Sequence, residues 1–117
     1  RTSEVVGRQI QFGLAGLQAT FAPRIVVAYE PVWAIGTGKA SSAQAANDVV
    51  GQVIRPALAG LFGTEVPQAI RVLYGGSVTS ANAGEYFACE EIDGALVGGA
   101  SLQRDEFVAI TRLAVGT

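Results

Sequence analysis

The chain has 117 residues, half of them hydrophobic, and a formal net charge of −2. That is enough for one modest core, and too little charge of either sign to imply nucleic acid or an anionic membrane as a partner. No apolar run reaches the roughly 18 residues of a membrane span, no signal-peptide pattern opens the chain, and the lone Cys89, barred from any internal disulfide, fits a reducing, cytoplasmic setting.

Histidine is absent, which removes the commonest acid–base side chain. With one cysteine as well, a zinc site is excluded by ligand count, and neither metal nor cofactor is expected. Methionine is absent too. The polar start Arg1-Thr2-Ser3 and the end Val115-Gly116-Thr117 lead to the expectation of a piece of a longer protein, or of a processed product.

Val6, Ile10, Leu14 and Leu17 recur at helical spacing behind a Thr2 or Ser3 cap, with Glu4 in the first turn. Gly7, Gly13 and Gly16 weaken that helix by about 1 kcal/mol each against alanine, so packing must hold it. Pro23 breaks the chain before a strand, Ile25–Tyr29, whose continuous apolar run predicts burial on both faces. Ser41 or Ser42 caps a second helix with the stripe Val49, Val50, Val53, Ile54, Ala57, Leu58 and Leu61. Pro56 lies inside it and predicts a kink or break; Gly60 and Gly63 mark its end.

A second strand, Ile70–Tyr74, runs into Gly75-Gly76-Ser77, and Thr79 or Ser80 caps a short helix through about Ala88. A third strand, Ala95–Val97, runs into Gly98-Gly99-Ala100-Ser101, before a last helix that presents Phe107, Ile110 and Leu113. Strands alternating with helices at this spacing predict right-handed crossovers and a parallel α/β sheet. In such folds sites form at the carboxyl ends of the strands, where the three distinctive loops of this chain fall.

Glu30 closes the first strand. Burial there would raise a carboxylate's pKa toward that of a working general base, although a solvated strand end is the plainer alternative. The next residues have the makings of a lid: a stiff hinge Pro31-Val32-Trp33, an apolar tip Ala34-Ile35, then Gly36-Thr37-Gly38 and a closing Lys39, the only lysine. A cover beside a carboxylate suits chemistry that must exclude water. Gly75-Gly76-Ser77 and Gly98-Gly99 can present backbone N–H groups to a phosphate, or simply make tight turns. Neither loop contains a lysine or arginine, so backbone dipoles would have to hold the anion. The Tyr74 hydroxyl could bond a closed lid, with packing as the competing role. Cys89 fits a small buried hydrophobe, and Asp93 the turn into the third strand.

Ala28-Tyr29-Glu30-Pro31-Val32-Trp33-Ala34-Ile35-Gly36-Thr37-Gly38-Lys39 resembles the active-site signature of the triosephosphate isomerase family. Tyr74-Gly75-Gly76-Ser77-Val78 with Asn82-Ala83, and Gly94-Ala95-Leu96-Val97-Gly98-Gly99-Ala100-Ser101-Leu102, are similar to its next two strand-end loops, in the right order. The resemblance implies a (β/α)8 barrel, which typically needs about 250 residues. Residues 1–117 would be its C-terminal part: three strand–helix units and the helix before them.

It also implies interconversion of dihydroxyacetone phosphate and glyceraldehyde 3-phosphate through an enediolate. Glu30 would be the base, and Gly36, Ser77, Gly98 and Gly99 would hold the phosphate. Pro31, Val32, Trp33, Ala34, Ile35, Thr37, Gly38 and Lys39 would form the lid, latched by Tyr74 and Ser77. The family's lysine and electrophilic histidine belong to earlier strands and have no counterpart here, so the isolated chain is expected to be inactive and to need the N-terminal part of the barrel. A homodimer is implied for the complete protein. The alternative from another class is a non-catalytic half-barrel that binds phosphate weakly or self-associates through unpaired strand edges. Phosphate-binding barrels of amino-acid biosynthesis share the glycine pairs but not the Tyr-Glu-Pro-Val-Trp lid.

Overall fold

A computed structural model of the chain describes residues 2–31 and 42–116. Three strands, β1 (Val26–Tyr29), β2 (Arg71–Gly76) and β3 (Gly94–Val97), form one sheet in the order β1-β2-β3. Both pairings are parallel, as expected for an α/β chain of this pattern.

Helix α1 (Thr2–Gly13) precedes the sheet and packs on the middle of the long helix that comes after β1. Of its expected stripe, Val6 is buried and Ile10 and Leu14 are partly so, whereas Leu17 falls beyond the helix and is exposed. Pro23 does more than break the chain: it lies inside a 3-10 helix, Ala19–Arg24, that delivers the backbone to β1.

The second predicted helix is α2 (Ala43–Val49), a π turn (Val50–Ile54) and α3 (Arg55–Phe62) in unbroken succession. Ser42 caps it, its Oγ accepting the Ala45 N–H at 3.1 Å. Pro56 explains the π turn. Proline donates no hydrogen bond, and its ring conflicts with the carbonyl four residues back. The chain relieves that conflict by widening one turn, so that the Arg55 N–H reaches the Val50 carbonyl, five residues back. The predicted kink thus takes the form of an added residue, and Ala46, Val50, Ile54, Leu58 and Phe62 stay on the buried side. Gly63, at φ 101°, ends the helix, whereas Gly60 lies inside it.

Helix α4 (Ala83–Phe87) is shorter than expected. Thr79 caps the turn before it, its carbonyl accepting the Asn82 and Ala83 N–H groups. Beyond β3 a 3-10 helix, Gly99–Leu102, leads into α5 (Arg104–Ala114). Only Ile110 of the stripe predicted for α5 is fully buried.

The register sorts the strand side chains into two faces. Val27, Tyr29, Val72, Tyr74, Ala95 and Val97 share the face covered by helices, and Val26, Ala28, Leu73 and Leu96 share the other. Val26 is 55% and Leu96 49% exposed. The burial of β1 on both faces expected from its apolar run is therefore corrected: helices cover one face, and its accessibility alternates along the strand.

At the amino ends of the strands, Arg55 makes a knot that the sequence did not announce. It is 6% exposed, and its guanidinium donates to the carbonyls of Pro67 (2.7 Å), Ile70 (3.3 Å) and Glu91 (2.6 Å) and to Asp93 Oδ2 (3.0 Å). Nε faces Glu91 Oε1 at 2.9 Å, an ion pair without an aligned hydrogen bond. Asp93 has a wider role than its turn, since it also accepts the Val72 N–H at 2.9 Å and so ties β2 to the entry of β3.

Candidate active site

The candidate site lies at the carboxyl ends of the strands. Glu30 lies one step beyond the Tyr29–Tyr74 pair, which brings it level with Gly75, itself paired with Leu96. The Glu30 side chain bends across Gly75. A Cβ at position 75 would stand 2.6 Å from Glu30 Cγ and 3.1 Å from both Cδ and Oε1. Gly75 is buried, and its hydrogen is the only side group that leaves the carboxylate this resting place.

Glu30 opens into a cleft of ≈ 680 Å³ whose walls include Ser77, Asn82, Leu96, Gly98 and Gly99. The structure therefore brings together Glu30, Ser77, Gly98 and Gly99 of the predicted site. No described residue lining the cleft carries a positive charge, and the space a Cβ would take at Gly98 and Gly99 is open for a ligand to approach the backbone. The Gly98 carbonyl is turned into the 3-10 helix, accepting from the Ser101 N–H (2.9 Å) and Oγ (2.6 Å).

One expectation changes, and the packing role of Tyr74 becomes visible. Glu30 is exposed rather than buried, because nothing among the described residues covers the end of β1; any desolvation has to come from a cover. Tyr74 points to the helix-covered face, fully buried, its ring stacked on Tyr86 with centroids 4.2 Å apart and planes 8° from parallel. Its hydroxyl lies under Gly76, where a Cβ would meet it at 2.5 Å. Burial, then the hydrogen bond to Tyr74, pushes the Tyr86 hydroxyl well above the usual phenol range. Pro31 is buried directly after Glu30. The remaining lid residues, Val32, Trp33, Ala34, Ile35, Gly36, Thr37, Gly38 and Lys39, lie outside the described residues, and with them any latch contact to Tyr74 or Ser77.

Sequence reasoning missed Leu96 as part of this cleft. Alternation along β3 puts it on Glu30's face, but only the register shows that it flanks Gly75. A second hollow of ≈ 530 Å³ between α1 and β1, rimmed by Glu30 and Pro31, was also not foreseen; Val6, Ile10 and Val27 make it largely apolar.

The family model described as triosephosphate isomerase matches residues 1–114. The chain belongs to the triosephosphate isomerase family. It is 52% identical over 110 residues to a triosephosphate isomerase of Streptococcus mutans, a match covering 94% of this chain and 43% of that relative. A Nocardia farcinica triosephosphate isomerase is 54% identical over 108 residues, covering 92% of this chain and 41% of the relative. One from Clostridium acetobutylicum is 50% identical over 109 residues, covering 93% and 44%. The chain thus spans about two fifths of the length of these relatives, and its three parallel strands and helices are part of a triosephosphate isomerase barrel.

Proposed function

We propose that this chain is the C-terminal part of a triosephosphate isomerase, and that Glu30 is its catalytic base. The observation that carries the reading is the Glu30 carboxylate, laid across Gly75 at the mouth of the cleft that Ser77, Gly98 and Gly99 line. With the phosphate held by backbone N–H groups at those loops, the triose carbons extend toward Glu30. Glu30 removes a proton from C1 of dihydroxyacetone phosphate, giving an enediolate, and returns it to C2, giving glyceraldehyde 3-phosphate. The accompanying transfer from the C1 to the C2 oxygen needs an acid, and none of the described cleft residues is suited to it. We assign that task to the missing N-terminal part of the barrel.

The lid residues Pro31 to Lys39 have a defined task in this reading. An exposed carboxylate is a weak base, and a cover that expels water both strengthens it and protects the enediolate. Leu96, across Gly75 from Glu30, adds an apolar wall on the open side.

The test uses a completed protein, in which residues 1–117 are joined to the N-terminal remainder of the Streptococcus mutans relative. The completed protein should interconvert the two triose phosphates, and the isolated chain should not, because removing a single oxyanion donor already costs about 3 kcal/mol in other enzymes. Substantial turnover by the isolated chain contradicts the reading. The non-catalytic alternative draws on the open sheet face, with Val26 and Leu96 half-exposed. Sedimentation and phosphate titration of the isolated chain would reveal it as self-association, or as anion binding without turnover.

A further inference from the structure

In the loop between β2 and α4, one carboxamide ties the chain back on itself. Asn82 immediately precedes α4, where a side chain of its type ordinarily caps the helix, yet it makes no such cap. It reaches backward instead. Its Nδ2 donates to the Ser77 carbonyl at 2.7 Å, and its Oδ1 accepts the Thr79 N–H at 2.8 Å. The peptide joining Ser77 to Val78 is thereby tied at both ends, since the Val78 N–H donates to the Gly76 carbonyl at 3.0 Å.

We propose that Asn82 is the positioning residue that locks this peptide and so sets the shape of the phosphate cradle, an inference that rests on reading Ser77, Gly98 and Gly99 as the anion site. Were the peptide free to turn, the Ser77 carbonyl could present its negative end to a bound phosphate; tied to Nδ2, it is neutralised by a donor. Asparagine suits the task because one short side chain supplies both a donor and an acceptor. Aspartate would keep the bond to Thr79, lose the one to Ser77 and place a negative charge beside the anion. The far side of the loop is braced separately, the Ser80 N–H donating to Glu106 Oε1 of α5 at 2.6 Å. The shape of the turn is therefore imposed from both flanks.

In the completed protein, three quantities are measured for the parent, Asn82→Ala and Asn82→Asp. They are kcat/KM for glyceraldehyde 3-phosphate, kcat/KM for phosphate-free glyceraldehyde, and the inhibition or binding constant of inorganic phosphate. Asn82→Ala should lose about tenfold or more on the phosphorylated substrate and on phosphate, with glyceraldehyde unchanged, and Asn82→Asp should lose more. Equal losses on both substrates would make Asn82 merely structural, and unchanged phosphate constants would remove its role. If Asn82→Ala fails to fold, Asn82→Asp decides by the same comparison. A parent without isomerase turnover sinks the reading of Glu30, while the phosphate affinities still judge Asn82. A parent that binds no phosphate overturns both.

Discussion

Gly75 shows how one missing side chain places another. Glu30 Cγ would stand only 2.6 Å from a Cβ at that position, so Gly75→Ala must displace either the backbone or the carboxylate. Gly75 lies in β2, the central strand, and is paired with Leu96 of β3, so the carboxylate is the softer element. In the completed protein, Gly75→Ala should lower kcat by about 100-fold with KM little changed, since a shift of about 1 Å suffices for such a loss; steady-state kinetics check this. Glu106 offers a pH test. Its bond from the Ser80 N–H holds its carboxyl below the ordinary glutamate range. A depressed carboxylate pKa contributes to the folded state above the unfolded value of about 4.3, and that contribution is lost as pH falls through the folded value. Protection of the Ser80 amide against hydrogen exchange, taken relative to its intrinsic rate at each pH, should therefore fall on acidification below about pH 4, and Glu106→Gln should weaken that dependence.

At the scale of elements, Pro56, the π turn and Arg55 form one unit. The extra residue of the π turn rotates the next helical segment by about 100°, and the first residue of that segment is Arg55, aimed at the amino ends of β2 and β3. Breaking a buried ion pair costs about 3–5 kcal/mol. Glu91 and Asp93 keep 31% and 37% of their side chains exposed, so Arg55→Ala in the completed protein should cost about 3 kcal/mol, at the low end of that range. Denaturant unfolding measures it, and kcat should hold because Arg55 lies at the end of the sheet away from Glu30. A loss below about 1 kcal/mol would show the pair acting as an exposed one. This knot was not legible in the sequence. A lone arginine before a proline resembles a solvated helix residue, and its partners Pro67, Ile70, Glu91 and Asp93 are 12 to 38 positions away. The strands, by contrast, were legible within a residue or two, because short apolar runs ending in Glu30-Pro31 or in a glycine pair are local signals. The exposure of β1 was not, because an apolar run looks the same whether one or both of its faces are covered.

Among the described residues, the whole molecule is a sheet with one finished face. Helices cover the side of Val72 and Tyr74, and the opposite side presents Val26, Ala28 and Leu96 together with Glu30. The candidate site lies at the carboxyl rim of this open face. The meeting of Glu30, Ser77, Gly98 and Gly99 at that rim was legible in the sequence, while the exposure of Glu30 was not: strand-end position is local, whereas desolvation depends on whatever covers the face. The most direct test of the account replaces Glu30 by Gln in the completed protein and measures triose phosphate interconversion. Loss of the general base predicts a fall in kcat of about 100- to 10,000-fold with phosphate affinity retained. An unchanged kcat would contradict the assignment of Glu30, and with it the proposed mechanism.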